Sequence, residues 1–149
     1  MSKRPVPKLM PEEFAAKYLY PRIRAMLAKI LMERLHLSQK EAAERLGITQ
    51  AAISQYLSGK RGSWKGLLLD SRALELTEQL GQEIIEKGLD KYSIVLKMSA
   101  LVEYLLANRC ACTIHQLHEP ELDIDRCHIC DGRTGLLLKP RPPGEPLHG

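Results

Sequence analysis

Between Leu37 and Gly62 the chain reads LSQKEAAERLGITQAAISQYLSGKRG, and this stretch constrains the fold more than any other. Ser38 and Glu41 stand three residues apart, the spacing at which a hydroxyl and a carboxylate reciprocally cap the first turn of a helix. Ala42, Ala43 and Leu46 follow at helical spacing as an inward face, and Ala43 is small enough to admit a second helix at close range. Gly47 ends the helix in the left-handed conformation, which has no Cβ cost for glycine. Ile48 plugs the corner, and Thr49 caps a second helix running from Gln50 to Leu57. At about 100° per residue, Ile53, Tyr56 and Leu57 share the inner side of that helix and Gln50, Ala51, Ser54, Gln55 and Ser58 the outer.

The outer side is small, rich in amides and free of acids, which suits it to the major groove of double-stranded DNA. Glutamine pairs bidentately with the N6/N7 edge of adenine, serine bonds to several base edges, and Ala51 suits a thymine methyl. Thr49 and Gln50 sit at a helix N-terminus, whose free N–H groups and positive dipole welcome phosphate; Gln39 opens the preceding helix in the same way. Lys60 and Arg61 follow the second helix and suit the flanking backbone. On these residues the stretch resembles the helix-turn-helix of the Cro/phage-repressor-like (XRE) transcription regulators. The likeness runs without a gap from Gln39 to Ser58, with Gln39 opening, Ala43 at the close contact, Gly47 in the turn and Ile53 in the core. With the basic helix before it and SQYLSGKRG closing it, the chain is similar to small archaeal-type regulators that carry C-terminal cysteines. The resemblance implies a sequence-specific DNA-binding transcription regulator.

The charge distribution agrees. Up to Gly66 there are 13 Lys/Arg against 5 Asp/Glu, and from Leu67 onward 9 against 13. The positive part holds the helix-turn-helix, as a phosphate-binding surface requires. With one Phe and one Trp in 149 residues the core must be aliphatic, and an all-α fold is expected. No apolar run approaches the roughly 18 residues of a membrane span, and Met1–Met10 lacks the apolar centre of a signal peptide. A cytoplasmic protein is expected.

Periodicity divides the chain into five parts: a basic flexible arm (1–10), the helix-turn-helix domain (11–66), a helical dimerisation region (67–109), a four-cysteine module (110–137) and a disordered proline-rich tail (138–149). Pro11 opens a short helix to Leu19, and Pro21 starts another to Leu35, with Ile23, Met26, Leu27, Ile30, Leu31 and Leu35 inward. Arg22, Arg24, Lys29 and Arg34 line its other side as phosphate candidates. Trp64 is expected to pack on the bundle. A further helix covers Leu67–Lys87, with Gly81 inside it. Asp90 caps the last, Lys91–Asn108, whose stripe of Ile94, Val95, Met98, Leu101, Val102, Leu105 and Leu106 is the expected seam of a homodimer. A palindromic operator read by two such heads doubles the discrimination of one short helix.

All four cysteines fall in the last third, as Cys110-x-Cys112 and Cys127-x-x-Cys130. Reduced thiols clustered in this way point to metal and not to disulfides. Four thiolates suit one closed Zn2+ site or one iron–sulfur cluster, and oxidation of either pair is a third option. Because Cys110 ends the expected dimer helix, and because no other stretch signals a ligand pocket, the architecture favours an iron–sulfur cluster as the regulator's input. His115, His118 and His128 are reserve ligands, expected as surface residues of a polar loop. No phosphate-cradling glycine loop or acid–base pair appears, so an enzyme is not expected. The alternative is a DNA-bound adaptor whose four-cysteine zinc module is a structural platform for docking a partner protein.

Overall fold

The structure, a computed structural model, describes residues 3–60, 64–133 and 143–144. It is all-α: helices α1 (Pro11–Phe14), α2 (Tyr20–Leu35), α3 (Gln39–Leu46), α4 (Gln50–Leu57), α5 (Ser71–Lys87), α6 (Lys91–Ala107), α7 (Cys112–His118) and α8 (Ile129–Gly132). Among the described residues there is no strand, only an isolated parallel bridge between Arg4 and Leu122. No described helix is long and apolar enough to cross a membrane. The tail expected at 138–149 lies outside the described residues apart from 143–144.

The two helices expected on either side of Pro21 are one continuous rod, because α1 and α2 are joined by a π-helical turn, Ala15–Leu19. Proline has no N–H, and its ring strikes the carbonyl four residues back in a regular α-helix. The wider turn makes room: the Tyr20 N–H reaches back five residues to the Ala15 carbonyl. The Tyr18 carbonyl is taken up by a side chain, the Arg22 guanidinium, at 2.5 Å. Arg22 is therefore buried, 5% exposed, instead of facing solvent as a phosphate contact.

α3 and α4 form as the capping pattern dictates. The Glu41 N–H donates to Ser38 Oγ at 3.1 Å and the Ser38 N–H to Glu41 Oε2 at 3.3 Å. Gly47 lies at φ +72°, with its N–H on Glu44 O and the Ile48 N–H on Ala43 O, the paired bonds of a Schellman stop. Thr49 Oγ1 accepts from the Ala52 N–H at 3.0 Å. Ala42, Ala43, Leu46, Ile53 and Tyr56 are buried, but Leu57 is exposed at 37%, and Ala52 takes its expected inner place.

After α4, Trp64–Leu69 is a 3-10 segment and α5 begins only at Ser71. The helix expected from Leu67 starts late because Asp70 is its N-cap, with Oδ1 accepting from the Ala73 N–H at 2.9 Å. Trp64 packs on Ala25, Ala52 and Tyr56, with the Lys29 ammonium 5.1 Å from its ring. α5 lies against α2, and Gly81 permits the approach: a Cβ there would fall 2.7 Å from Ile30 Cδ1. One apolar core runs unbroken from Phe14 to Ile114, so no boundary at 66/67 separates two cores.

That continuity changes the reading of α6. Ile94, Met98, Val102 and Leu105 are buried in the protein's own core, and Leu101 and Leu106 are half-buried against it. Packing of α3 and α5 on one side of α6 consumes most of the expected seam. The apolar residues left open on this helix are Tyr92, Val95, Leu96 and Tyr104. The N-terminal arm, expected to be flexible, is pinned. The Arg4 N–H donates to Glu121 O and the Asp123 N–H to Arg4 O, both at 2.7 Å. The Lys8 and Leu9 N–H groups reach the Glu119 carboxylate at 2.6 and 3.2 Å.

Candidate nucleic-acid interface and cysteine module

The described residues expected to read DNA lie on α4 or directly beside it, except Gln39, which opens α3. Thr49, Gln50, Ala51, Ser54, Ser58 and Lys60 are exposed, while Gln39 and Gln55 are half-buried. Arg61 lies outside the described residues. α4 carries no acidic or basic side chain, so its outward groups are amides, hydroxyls and a methyl. The Ser58 hydroxyl is turned back onto Gln55 O at 3.1 Å, which places it at the helix end and away from the centre of the reading face. The N-terminal end of the helix is set by Thr49, whose side chain satisfies only the Ala52 N–H, so other first-turn N–H groups stay available for phosphate.

The cysteines form a different surface. Cys110 is buried at the end of α6, where its thiol donates to Asn108 O at 3.5 Å. Cys112 opens α7, Cys127 lies in the loop before α8, and Cys130 lies on α8. Burial pushes the Cys112 thiol up, and the charges of Cys127 and Asp131 add to it against Arg109. Burial, reinforced by Cys112 and Cys127, pushes Cys130 up to about 11. Cys110 is raised by burial and then by Asp70. Cys112 is thus within electrostatic reach of the other three thiols, and Cys110 also faces Asp70 at the start of α5. Among the described residues no three His, Cys, Asp or Glu side chains converge closely enough to grip one ion. The donor chemistry of four thiols suits zinc or an iron–sulfur cluster.

The sequence did not point to Arg109, which holds the second cysteine pair in place. It sits at φ +59°, unusual for a side-chain-bearing residue, and ends α6. Its guanidinium donates to Cys127 O at 2.6 Å and to Ile124 O, and lies 3.6 Å from Asp131. Only the crossing of α6 by the later loop reveals that role.

The histidines also depart from expectation. His115 is buried, stacked on Phe14 with ring centroids 4.3 Å apart, and bonded to Glu119 at 2.5 Å. His118 is half-buried, stacked on Tyr18 at 3.6 Å, with Arg22 Nη2 2.9 Å from its Nε2. A guanidinium can only donate, so His118 Nε2 accepts and the ring is neutral. Burial, together with Arg22, lowers its pKa accordingly. Of these three histidines, His128 alone is exposed. His115 and His118 face inward because Cys112–His118 is a helix docked on the π-turn and not a polar loop.

Against known families, residues 29–62 match the helix-turn-helix family model. This segment is a helix-turn-helix of the XRE-like kind found in DNA-binding regulators. Compared with curated proteins and with solved structures, the chain gives no match.

Proposed function

We propose that the chain is a sequence-specific transcription regulator that reads the major groove of a palindromic operator as a cytoplasmic homodimer. Its occupancy is tuned by an iron–sulfur cluster on Cys110, Cys112, Cys127 and Cys130. The observation that carries the DNA reading is the outward face of α4, where Gln50, Ala51 and Ser54 stand exposed on a helix with no charged side chain. Gln50→Ala and Ser54→Ala should each cost about 1–3 kcal/mol at an operator selected from random duplexes, with much less loss on non-specific DNA. Lys60→Ala should weaken both kinds of DNA alike and reduce the salt slope by about one. Full operator affinity in Gln50→Ala would remove the recognition helix from this role.

The homodimer rests on Tyr92, Val95 and Leu96, exposed at 89%, 58% and 71% on α6. A second copy of the same helix is the partner that a two-fold operator requires. For the cluster, support comes from the chemistry of four thiols confined to 21 residues, with Cys112 within electrostatic reach of the other three. When bound, an iron–sulfur cluster would supply sensitivity to electrons or oxygen. The second reading, a four-cysteine zinc platform on a DNA-bound adaptor, is favoured by one observation: Ile114 and His115, between the two cysteine pairs, are already buried in the protein's core. Anaerobic purification with metal and sulfide analysis separates the two.

A further inference from the structure

Behind the reading face, α2, the π-turn, α4 and α7 enclose a half-open cavity of about 440 Å³. Four cations line it, Lys17, Arg22, Arg24 and Lys60, together with Tyr18, Tyr56 and His118, and no acid does. Among the described residues none of the four cations has a carboxylate partner. The Nε atoms of Arg22 and Arg24 are buried without a hydrogen-bond partner. Arg22 is held in this wall at 5% exposure by Tyr18 O and His118, and Gly66 makes the space: a Cβ there would fall 2.1 Å from Arg22 Nε. So much uncompensated positive charge in a concavity is electrostatically costly unless an anion shares it.

We propose that this cavity binds a small phosphate-bearing organic ligand, and that it is an effector site of the protein. Guanidinium forks match phosphate geometry, and two of them with two ammonium groups suit a dianion better than a single carboxylate. The volume exceeds what inorganic phosphate fills and falls in the range of small-molecule pockets. The stacked Tyr18–His118 pair and Tyr56 offer aromatic surface to the organic part. A DNA phosphate is disfavoured because Tyr56 is on the buried side of α4, opposite Gln50 and Ser54. The ligand would touch α4 through Tyr56, the turn after it through Lys60 and α7 through His118. It thereby bridges the reading head and the helix that begins at Cys112.

Binding can be tested without DNA, so it stands apart from the operator reading. Pyrophosphate, as the probe, is titrated into the full chain by calorimetry at fixed ionic strength. Lys17→Gln with Arg24→Gln is the variant, since Lys17 is exposed and Arg24 half-exposed, and its melting temperature without probe is recorded first. Saturable one-to-one binding is expected, weakened about tenfold or more per charge removed. The variant should bind random duplex DNA as the parent does. No saturable heat, equal binding by a folded variant, or loss of random-duplex affinity with a reduced salt slope would each overturn the proposal. The last outcome would assign these cations to the DNA backbone. Should the variant melt early, Lys17→Gln and Arg24→Gln, each alone, are read against the same criterion.

Discussion

Gly81 stands inside α5, where glycine costs about 1 kcal/mol relative to alanine. The cost is offset by the close contact with Ile30 across the α2–α5 interface. Gly81→Val should therefore destabilise the fold by about 1–3 kcal/mol through overpacking, and Ile30→Ala in the same chain should recover part of the loss. Denaturant midpoints of the two singles and the double decide it. At the same scale, His118 gives stability a pH dependence. Its folded pKa lies below the ordinary histidine value of 6.5. As pH falls through 6.5 the unfolded chain takes up a proton that the folded chain refuses, so stability declines on acidification and is restored above neutrality. In His118→Asn the slope of unfolding free energy between about pH 7 and 5.5 should flatten. An unchanged slope would mean that the ring is not held neutral by Arg22.

Among the elements, the N-terminal arm and α7 are joined through one carboxylate. Burial pushes Glu119 up, but the Lys8 N–H, His115 and the Leu9 N–H outweigh it and hold its pKa below the usual range. Its contribution to stability is present above the ordinary glutamate value and is lost as pH falls through the lowered folded value, a window more acidic than that of His118. Glu119→Ala leaves those donors without an acceptor and should cost about 3 kcal/mol, with earlier tryptic cleavage at Lys8. If the arm stays equally protected in the variant, the carboxylate is not its anchor.

For the molecule as a whole, two couplings follow. Val95→Glu with Leu96→Glu puts charge on the exposed side of α6 and should give a folded monomer with weakened operator binding. Leu105→Glu would not test the same idea, because Leu105 is fully buried in the core. A parent chain that sediments as a monomer at micromolar concentration, with and without operator, would exclude the homodimer. The second coupling links cysteines to DNA. α7 packs on the 3-10 segment that follows the helix-turn-helix, and Thr113 Oγ1 donates to Leu69 O at 3.1 Å. The segment that opens at Cys112 thus meets the stretch after the helix-turn-helix, besides the packing of α6 on α3. Cys127→Ser should keep the helical fold while changing operator affinity about 5- to 150-fold, with little effect on random DNA. Equal affinities for parent, metal-free protein and Cys127→Ser under anaerobiosis would make the module a staple and favour the zinc platform.

What the sequence determined by itself was local. The Ser38–Glu41 box, the Gly47 stop and the Thr49 cap are bonds between residues three to five apart, so the short stretch that contains them suffices to specify both helices and the exposed side of the second. The tertiary structure decided what depends on partners far along the chain. Whether Leu105 faces the core or a second copy depends on α5 and α3. Whether His115 and His118 are exposed depends on Phe14 and Tyr18, about a hundred residues earlier. Arg22 looked like one more cation on a basic helix. Only the π-turn ahead of Pro21, the missing Cβ of Gly66 and the arrival of α7 turn it inward, and with it create a positively charged cavity that no local pattern signals.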